Sequence, residues 1–300
     1  MRLCDVTLRE ATALSDRTYT VDQLVEAGQA LDRLGVPLIR AGRPAVEDVE
    51  RETVSRLASN LDADVTACCR ARTDEVTAAL ETGAAVVEVS VPVSDARLEA
   101  VGTSREEVFD SAETAIRRVR EGGADGHLVL QDAFRADVPA VAGAFGRFDC
   151  PVTLADTAGA RTPPFIAGFL RTLADASADL TRAGVHFRDD LGCATANALV
   201  AAETGIDRVN ASVAGVGERA GNAATEEVIV ATETAGGDAG VATAETIPAC
   251  NGVLRALGET VDERKAVLGE AARGDPSDHA AGEGDDPSAF RAFDSTTFGG

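Results

Sequence analysis

The stretch Val185-His186-Phe187-Arg188-Asp189-Asp190-Leu191-Gly192 packs an imidazole, a guanidinium and two carboxylates into five consecutive residues. An imidazole can ligate a metal or carry a proton. A guanidinium forks onto carboxylates and phosphates. The stretch closes a short apolar run and precedes a helical pattern, the position at which strand-to-helix loops carry chemistry in alternating β/α folds. Similar groups follow other apolar runs: Arg9-Glu10, Arg40 and Arg43, Arg70, Ser94, Gln131-Asp132, Asp156-Thr157 and the loop Gly215–Asn222. If these ends face one site, at least five arginines converge there, and the expected ligand is a small polyanion such as a di- or tricarboxylate. Each group also has a simpler role open to it. Arg9 and Glu10 can form a salt bridge at a barrel rim, and His186 can be a satisfied core histidine. Asp189 and Asp190 can cap the helix that begins near Ala194. The run Gly215–Ala220 fits GxGxxA, but no strand with a terminal acid follows its helix, so a dinucleotide site is not expected.

These side chains need a scaffold that brings them together. Apolar runs of strand length cover Leu3–Leu8, Pro37–Ala41, Asp64–Cys69, Val86–Val91, His127–Leu130, Val152–Ala155, Gly184–Phe187 and Arg208–Val213. Amphipathic stretches lie between and after them: Val21–Leu34, Val46–Ser59, Thr73–Glu81, Ser104–Glu121, Val138–Phe145, Pro163–Ala174, Ala194–Glu203 and Glu226–Glu233. Thr73 and Ser104 are candidate caps, the latter with Glu107 completing a capping box. Eight strands, each followed by a helix, predict an α/β fold, a (β/α)8 TIM barrel over residues 1–236; an open doubly wound sheet is the alternative. Beyond Gly236 the alternation stops. Glu245–Leu257 reads as one more helix. Residues 237–300 read as a short irregular C-terminal extension, lying on the barrel or on a second subunit.

Composition narrows the setting. The chain carries 50 acidic and 28 basic residues, a net charge of −22, with Lys265 as its one lysine. The acid is spread along the chain, as on a solvated surface suited to high salt, so a halophile's cytoplasm is expected. The same charge argues against nucleic acid or an anionic membrane as partner. Six cysteines form no CxxC pair and read as buried free thiols in a reducing compartment. No signal peptide or apolar run of the ~20 residues needed for a membrane span is apparent.

Taken together, the motifs resemble those of the Claisen-condensing barrel family, which holds homocitrate, 2-isopropylmalate and citramalate synthases, with 3-hydroxy-3-methylglutaryl-CoA lyase as a relative. Asp5–Glu10 is similar to its DTTLR(D/E) opening, Ile39–Ala45 to IEAGxPA, Gln131–Asp137 to EDAxRxD, and Ala155–Gly159 to ADTxG. His186–Asn197 resembles HxH(N/D)DxGxAxAN, and Gly215–Ala223 matches GxGERAGNA. Ser90–Asp95, Cys69–Ala71, Asp189–Gly192 and the tail Asp286–Asp294 are most similar to the nitrogenase-associated homocitrate synthases. The resemblance implies condensation of acetyl-CoA with a 2-oxo acid at a divalent metal (Mg, Mn or Zn), in a homodimer. Carried over by position, it implies Glu10, His186 and Asn222 as metal ligands, and Arg9 as stabiliser of the oxyanion. Thr157 would hold the substrate carboxylate. The strand ends themselves, not the resemblance, put forward Arg40, Arg70, Ser94, Gln131 and Arg188 as further substrate-binding positions.

The departures share one direction. Arg188 replaces the second His of HxH, Arg40 replaces the acid of IEAG, Arg43 stands where the family is apolar, and Gln131 replaces a Glu. Each change adds positive charge or removes negative charge. A guanidinium is permanently protonated and cannot ligate a metal. The segment that supplies the family's base is Asp275–His279, in which only His279 could act. The expectation is therefore that Arg188 and Arg40 take over the work of the missing cation. The alternative is that Arg188 pairs with Glu10 and merely fills a dead metal site. Three functions follow: a Claisen synthase with altered metal use, a non-catalytic carboxylate-binding or regulatory paralogue, and a lyase or aldolase. The lyase's cysteine-bearing loop is absent from Gly215–Asn222.

Overall fold

A computed structural model describes residues 1–274 and 291–300. Among them, eight strands close a barrel in which each pairs in parallel with its neighbours in sequence and β8 returns to β1. The strands are β1 Arg2–Asp5, β2 Leu38–Gly42, β3 Asp64–Arg70, β4 Val86–Pro92, β5 Asp125–Gln131, β6 Val152–Asp156, β7 Ala183–Phe187 and β8 Arg208–Ala211. Helices cover Thr7–Thr12 (α1), Val21–Leu34 (α2), Asp48–Ala58 (α3), Thr73–Leu80 (α4), Asp95–Val101 (α5) and Arg105–Glu121 (α6). They continue with Val138–Arg147 (α7), Pro163–Asp175 (α8), Ala194–Glu203 (α9), Thr225–Thr234 (α10), Thr246–Leu257 (α11) and Glu270–Arg273 (α12). The expected closed barrel is the observed one, and the open sheet is excluded.

Helix α2 shows why the outer ring forms. Its buried residues, from Leu24 and Val25 to Leu31 and Leu34, recur at helical spacing. Thr20 and Gln23 make a capping box at its start, and Gly35 ends it in the left-handed region. Helix α11, from beyond residue 236, packs along α2 closely enough that a Cβ at Gly252 would sit 3.4 Å from that of Ala30. The barrel's outer layer thus extends past the end of the strand–helix alternation.

Several boundaries differ from the sequence reading, and three of them bear on the site or its frame. The first strand stops at Asp5 instead of running to Leu8, because Asp5 accepts the Thr7 amide (2.8 Å) and the Thr225 hydroxyl (2.8 Å). The chain then turns into α1, so Arg9 and Glu10 ride on a helical turn over the barrel mouth. Likewise β8 ends at Ala211. Helix α5 was not anticipated; it is a seven-residue insertion that Ser94 caps and Gly102 closes. Finally, Arg72, with no side-chain capping bond, occupies the α4 cap expected of Thr73. The Ser104–Glu107 capping box is present as expected.

The barrel interior is unusually polar for this architecture, where branched aliphatic residues normally fill the layers. Arg208 is fully buried and donates to Thr153 Oγ1 at 3.2 Å. Glu88, His127 and Asn210 are buried with it. Cys4, Val6, Leu38 and Val86 form a small apolar cluster separate from the main core.

Candidate active site at the carboxyl ends of the strands

A cavity of about 220 Å³ opens at the carboxyl ends of the strands. It is lined by Arg9, Glu10, Arg40, Arg43, Arg70, Gln131, Thr157, His186 and Arg188 from the expected set, joined by Cys68, Glu88 and Ser90. Five guanidiniums therefore face two carboxylates, Glu10 and Glu88. Alternate residues of β4 (Glu88, Ser90) and of β5 (Val129, Gln131) point into it, as the period of a strand requires.

Arg188 turns inward. Its Nη1 lies 2.8 Å from Glu10 Oε2 and its Nη2 3.0 Å from Glu218 Oε2, with both Arg188 and Glu10 largely buried. The 2.8 Å contact lacks hydrogen-bond geometry, so Nη1 and Oε2 are both without a hydrogen-bond partner. Burial works to raise Glu10, but the guanidiniums of Arg188, Arg9 and Arg40 outweigh it and hold the carboxyl below the usual range. Burial drives His186 down to about 3, so its ring is neutral, with Nδ1 unpartnered.

The other arginines are organised by acids on neighbouring elements. Arg40 Nε meets Glu88 Oε2 at 2.6 Å, in a pair almost sealed from water, while Arg40 Nη2 has no partner. Glu75, in the first turn of α4, clamps Arg43 through two nitrogens and Arg70 through its Nε at 2.6 Å. Arg9 has no ion pair within 4 Å among the described residues. On the opposite wall, Gln131 donates to Ser90 Oγ (2.6 Å) and accepts from Arg97 (2.9 Å). Thr157 Oγ1 accepts the Asp132 amide at 2.9 Å, which leaves its hydroxyl proton to the cavity. Asp132 is itself held by a two-bond fork from Arg135 and by the Ser94 hydroxyl.

Two expected residues do not line the cavity. Ser94 is buried behind the wall, where it caps α5 and bonds Asp132. Asn222 is buried in the loop after β8, its Nδ2 donating to Val216 O (2.9 Å) and its Oδ1 unpartnered. That loop folds tightly. Gly221 has φ +88°, and a Cβ there would lie 2.0 Å from Gly215 O. A Cβ at Gly217 would lie 2.4 Å from Asn222 Nδ2 and 3.3 Å from Arg188 Nη1, so the loop sets the amide and the guanidinium side by side. Asp189 accepts the Ala194 amide (2.7 Å) and supports the start of α9, while Asp190 pairs with Arg219. His279 lies outside the described residues.

Glu88 and Cys68 were not anticipated. A lone acid at an alternating position within Val86-Val87-Glu88-Val89 was the available signal for the first. Burial pushes the Cys68 thiol far above its usual range, and Cys4 and Cys69 up to about 12, so none of the three is a ready nucleophile.

The donor set does not fit a divalent cation. Among the described residues no three His, Cys, Asp or Glu side chains are placed to hold a metal ion. Glu10 faces a guanidinium instead, and two strong ligands are fewer than such ions take from protein.

Comparisons with known proteins agree on the lineage. The HMGL-like family model matches residues 1–253. Homocitrate synthase AksA of Methanosarcina mazei is 32% identical over 302 residues, covering 98% of this chain and 74% of its own. The putative (R)-citramalate synthase CimA of Methanopyrus kandleri is 32% identical, covering 91% of this chain and 55% of its own. The 2-isopropylmalate synthase of Sulfolobus acidocaldarius is 30% identical, covering 94% and 74%. The chain thus spans about half the length of the citramalate synthase and about three quarters of the other two. Among solved structures, hydroxymethylglutaryl-CoA lyase from Pseudomonas aeruginosa superposes with a TM-score of 0.76 at 20% identity, covering 90% of this chain and 96% of its own; at that identity the likeness is one of fold. A family model matched across every barrel strand, and synthases related over nearly the whole chain, lead to one conclusion: this chain belongs to the HMGL-like family.

Proposed function

We propose that the chain is an acyl-CoA:2-oxo-acid synthase of the Claisen type, joining the methyl carbon of an acetyl thioester to the carbonyl of a 2-oxo acid, after which water hydrolyses the resulting thioester and CoA leaves. The observation that carries this reading is the cavity itself, with more guanidinium than carboxylate around a space suited to a small acid. At about 220 Å³ it is smaller than the ~300–1,000 Å³ of sites that enclose drug-sized ligands, so the bulk of a coenzyme would lie outside it. The Thr157 hydroxyl would donate to the substrate carboxylate, and Arg9, with no ion-pair partner among the described residues, would face the oxyanion that develops at the carbonyl. His279 is the candidate for the base that takes the methyl proton. Gln131 and Arg70 would select the substituent of the acid.

A second reading, a non-catalytic carboxylate-binding paralogue, is favoured by the Arg188–Glu10 ion pair, which occupies the centre of the site. One assay separates the two. Free CoA is followed from acetyl-CoA in molar KCl, across a panel of 2-oxo acids. The synthase reading expects turnover that depends on one of them and falls by roughly 10²-fold or more in Arg9→Gln. Absence of CoA release with every acid, with and without added Mg²⁺ or Mn²⁺, would leave the second reading.

A further inference from the structure

We infer that Arg188 is the resident cation of this site, so that the pocket binds its carboxylate ligand through guanidiniums without a divalent metal. This deepens the reading of the cavity as the ligand site, but it does not depend on catalysis.

Three observations converge. The first is position. Arg188 lies between Glu10, at 2.8 Å, and the loop carrying Asn222, which Gly217 allows to close against the guanidinium. A cation at that spot would meet a fixed positive charge. The second is the pattern of unpartnered atoms. Glu10 Oε2, Arg188 Nη1, Arg40 Nη2, His186 Nδ1 and Asn222 Oδ1 are all buried without hydrogen-bond partners. Buried polar atoms left unpaired are costly and rare. Four of them belong to residues that line the cavity, with Asn222 in the loop beside Arg188, and they mark a place where a polar ligand or ordered water completes the bonding. The third is charge. Each of the two carboxylates lining the cavity already faces an arginine, Glu10 with Arg188 and Glu88 with Arg40. Arg9 is left over, and Arg43 and Arg70 share the single acid Glu75. Glu218 also holds Arg188 from the rim, so four carboxylates pair with the five guanidiniums and one positive charge is left over, which suits an anionic ligand rather than another cation.

The chemistry is consistent with this geometry. A guanidinium offers planar paired donors to a carboxylate and, unlike an imidazole, keeps its charge at any physiological pH. The unbonded protons on Arg188 Nη1 and Arg40 Nη2 provide donors for the acid.

Co²⁺ uptake, by equilibrium dialysis and by visible absorbance in strong salt, tests the inference with the whole protein. The wild type is expected to show no saturable uptake. Arg188→His places an imidazole beside Glu10, His186 and Asn222. Loss of even an indirect support costs a metal site about 10–100-fold in affinity, so this variant is expected to bind one Co²⁺ per chain at least about 100-fold more tightly than the wild type. Stoichiometric Co²⁺ in the wild type, lost in Glu10→Gln, would overturn the inference, and so would a folded Arg188→His protein that takes up none. Should that variant fail to fold, malonate titrated into the wild type in excess EDTA decides: saturable binding upholds the inference and its absence overturns it. These results are separable from the synthase reading. CoA release that requires added metal would uphold the synthase and defeat the inference. Malonate binding in EDTA without CoA release would do the reverse.

Discussion

Glu88 and Arg40 meet at 2.6 Å with both side chains almost wholly buried. Removing one member of such a pair strands the other, whereas replacing both by apolar groups of similar volume often costs little. Glu88→Gln should therefore lower the unfolding free energy by about 3–5 kcal/mol, read from denaturant melts. Arg40→Met combined with Glu88→Leu should recover most of that loss. A single variant within about 1 kcal/mol of wild type, the range of an exposed pair, would show the pair to be open to water. The arginines of the site were legible in the sequence because each follows an apolar run. Apart from Glu10, named from the sequence as a partner for Arg188 and found beside it, their partners were not. Glu75 reaches Arg43 across 32 positions, and nothing in spacing announces such a pair. Ser94 was misplaced for a related reason, since a serine that follows a strand can either line the mouth or cap the next helix, and a helix of seven residues leaves little periodic trace.

At the level of elements, Glu226 in the first turn of α10 joins the barrel to the segment after α11. Its carboxyl is fully buried, bonds the Ala214 amide at 2.9 Å and faces Lys265 Nζ at 3.6 Å. Lys265 also holds Glu227 at 2.5 Å. Burial lifts Glu226 to about 7, against an ordinary 4.5, with Lys265 opposing the rise and Glu227 adding to it. A raised folded pKa means that the folded state binds more protons between these two values. The contribution to stability is complete below pH 4.5 and is lost as pH rises through about 7. Asp5, lifted to about 6 by burial, acts with the same sign. His127, pressed down by burial from 6.5 to about 4, acts with the opposite sign, giving stability above pH 6.5 that is lost on acidification. Comparing Glu226→Gln with wild type isolates the first of these. The variant should gain on wild type by on the order of 1–3 kcal/mol between pH 5 and pH 8; a difference that stays flat across that range contradicts the assignment. The elements themselves were legible where the period was long, as in α2 and α6. Their ends were not. Whether Val6–Leu8 extends the strand or begins a helical turn is decided by Asp5 bonding to Thr7 and Thr225, and Thr225 is 220 residues away.

For the whole molecule, the alternation of eight strands with helices was sufficient to read the barrel, because a parallel strand must be followed by a crossover and eight such units close. The polar interior was less legible, since Arg208, His127 and Glu88 sit within runs that otherwise look aliphatic. A net charge of −22 on 300 residues sets the protein against itself at low ionic strength. Screening shortens the reach of that repulsion from about 10 Å at 0.1 M salt to about 3 Å at 1 M. The thermal midpoint should therefore rise steadily as KCl is raised into the molar range. A midpoint that is flat or falling would show that the acidic surface is already compensated by its ion pairs, such as the Arg147 cluster with Glu106, Asp110 and Glu113.

The claim that matters most is that a guanidinium does an ion's work in an inherited pocket. Diffraction from crystals soaked with 2-oxoglutarate and Mn²⁺, with data collected at the manganese edge, addresses it most directly. The acid is expected bound among Arg188, Arg40 and Arg9, with no anomalous peak in the cavity. A manganese peak beside Glu10 and His186, with the Arg188 side chain swung away from Glu10, would contradict it.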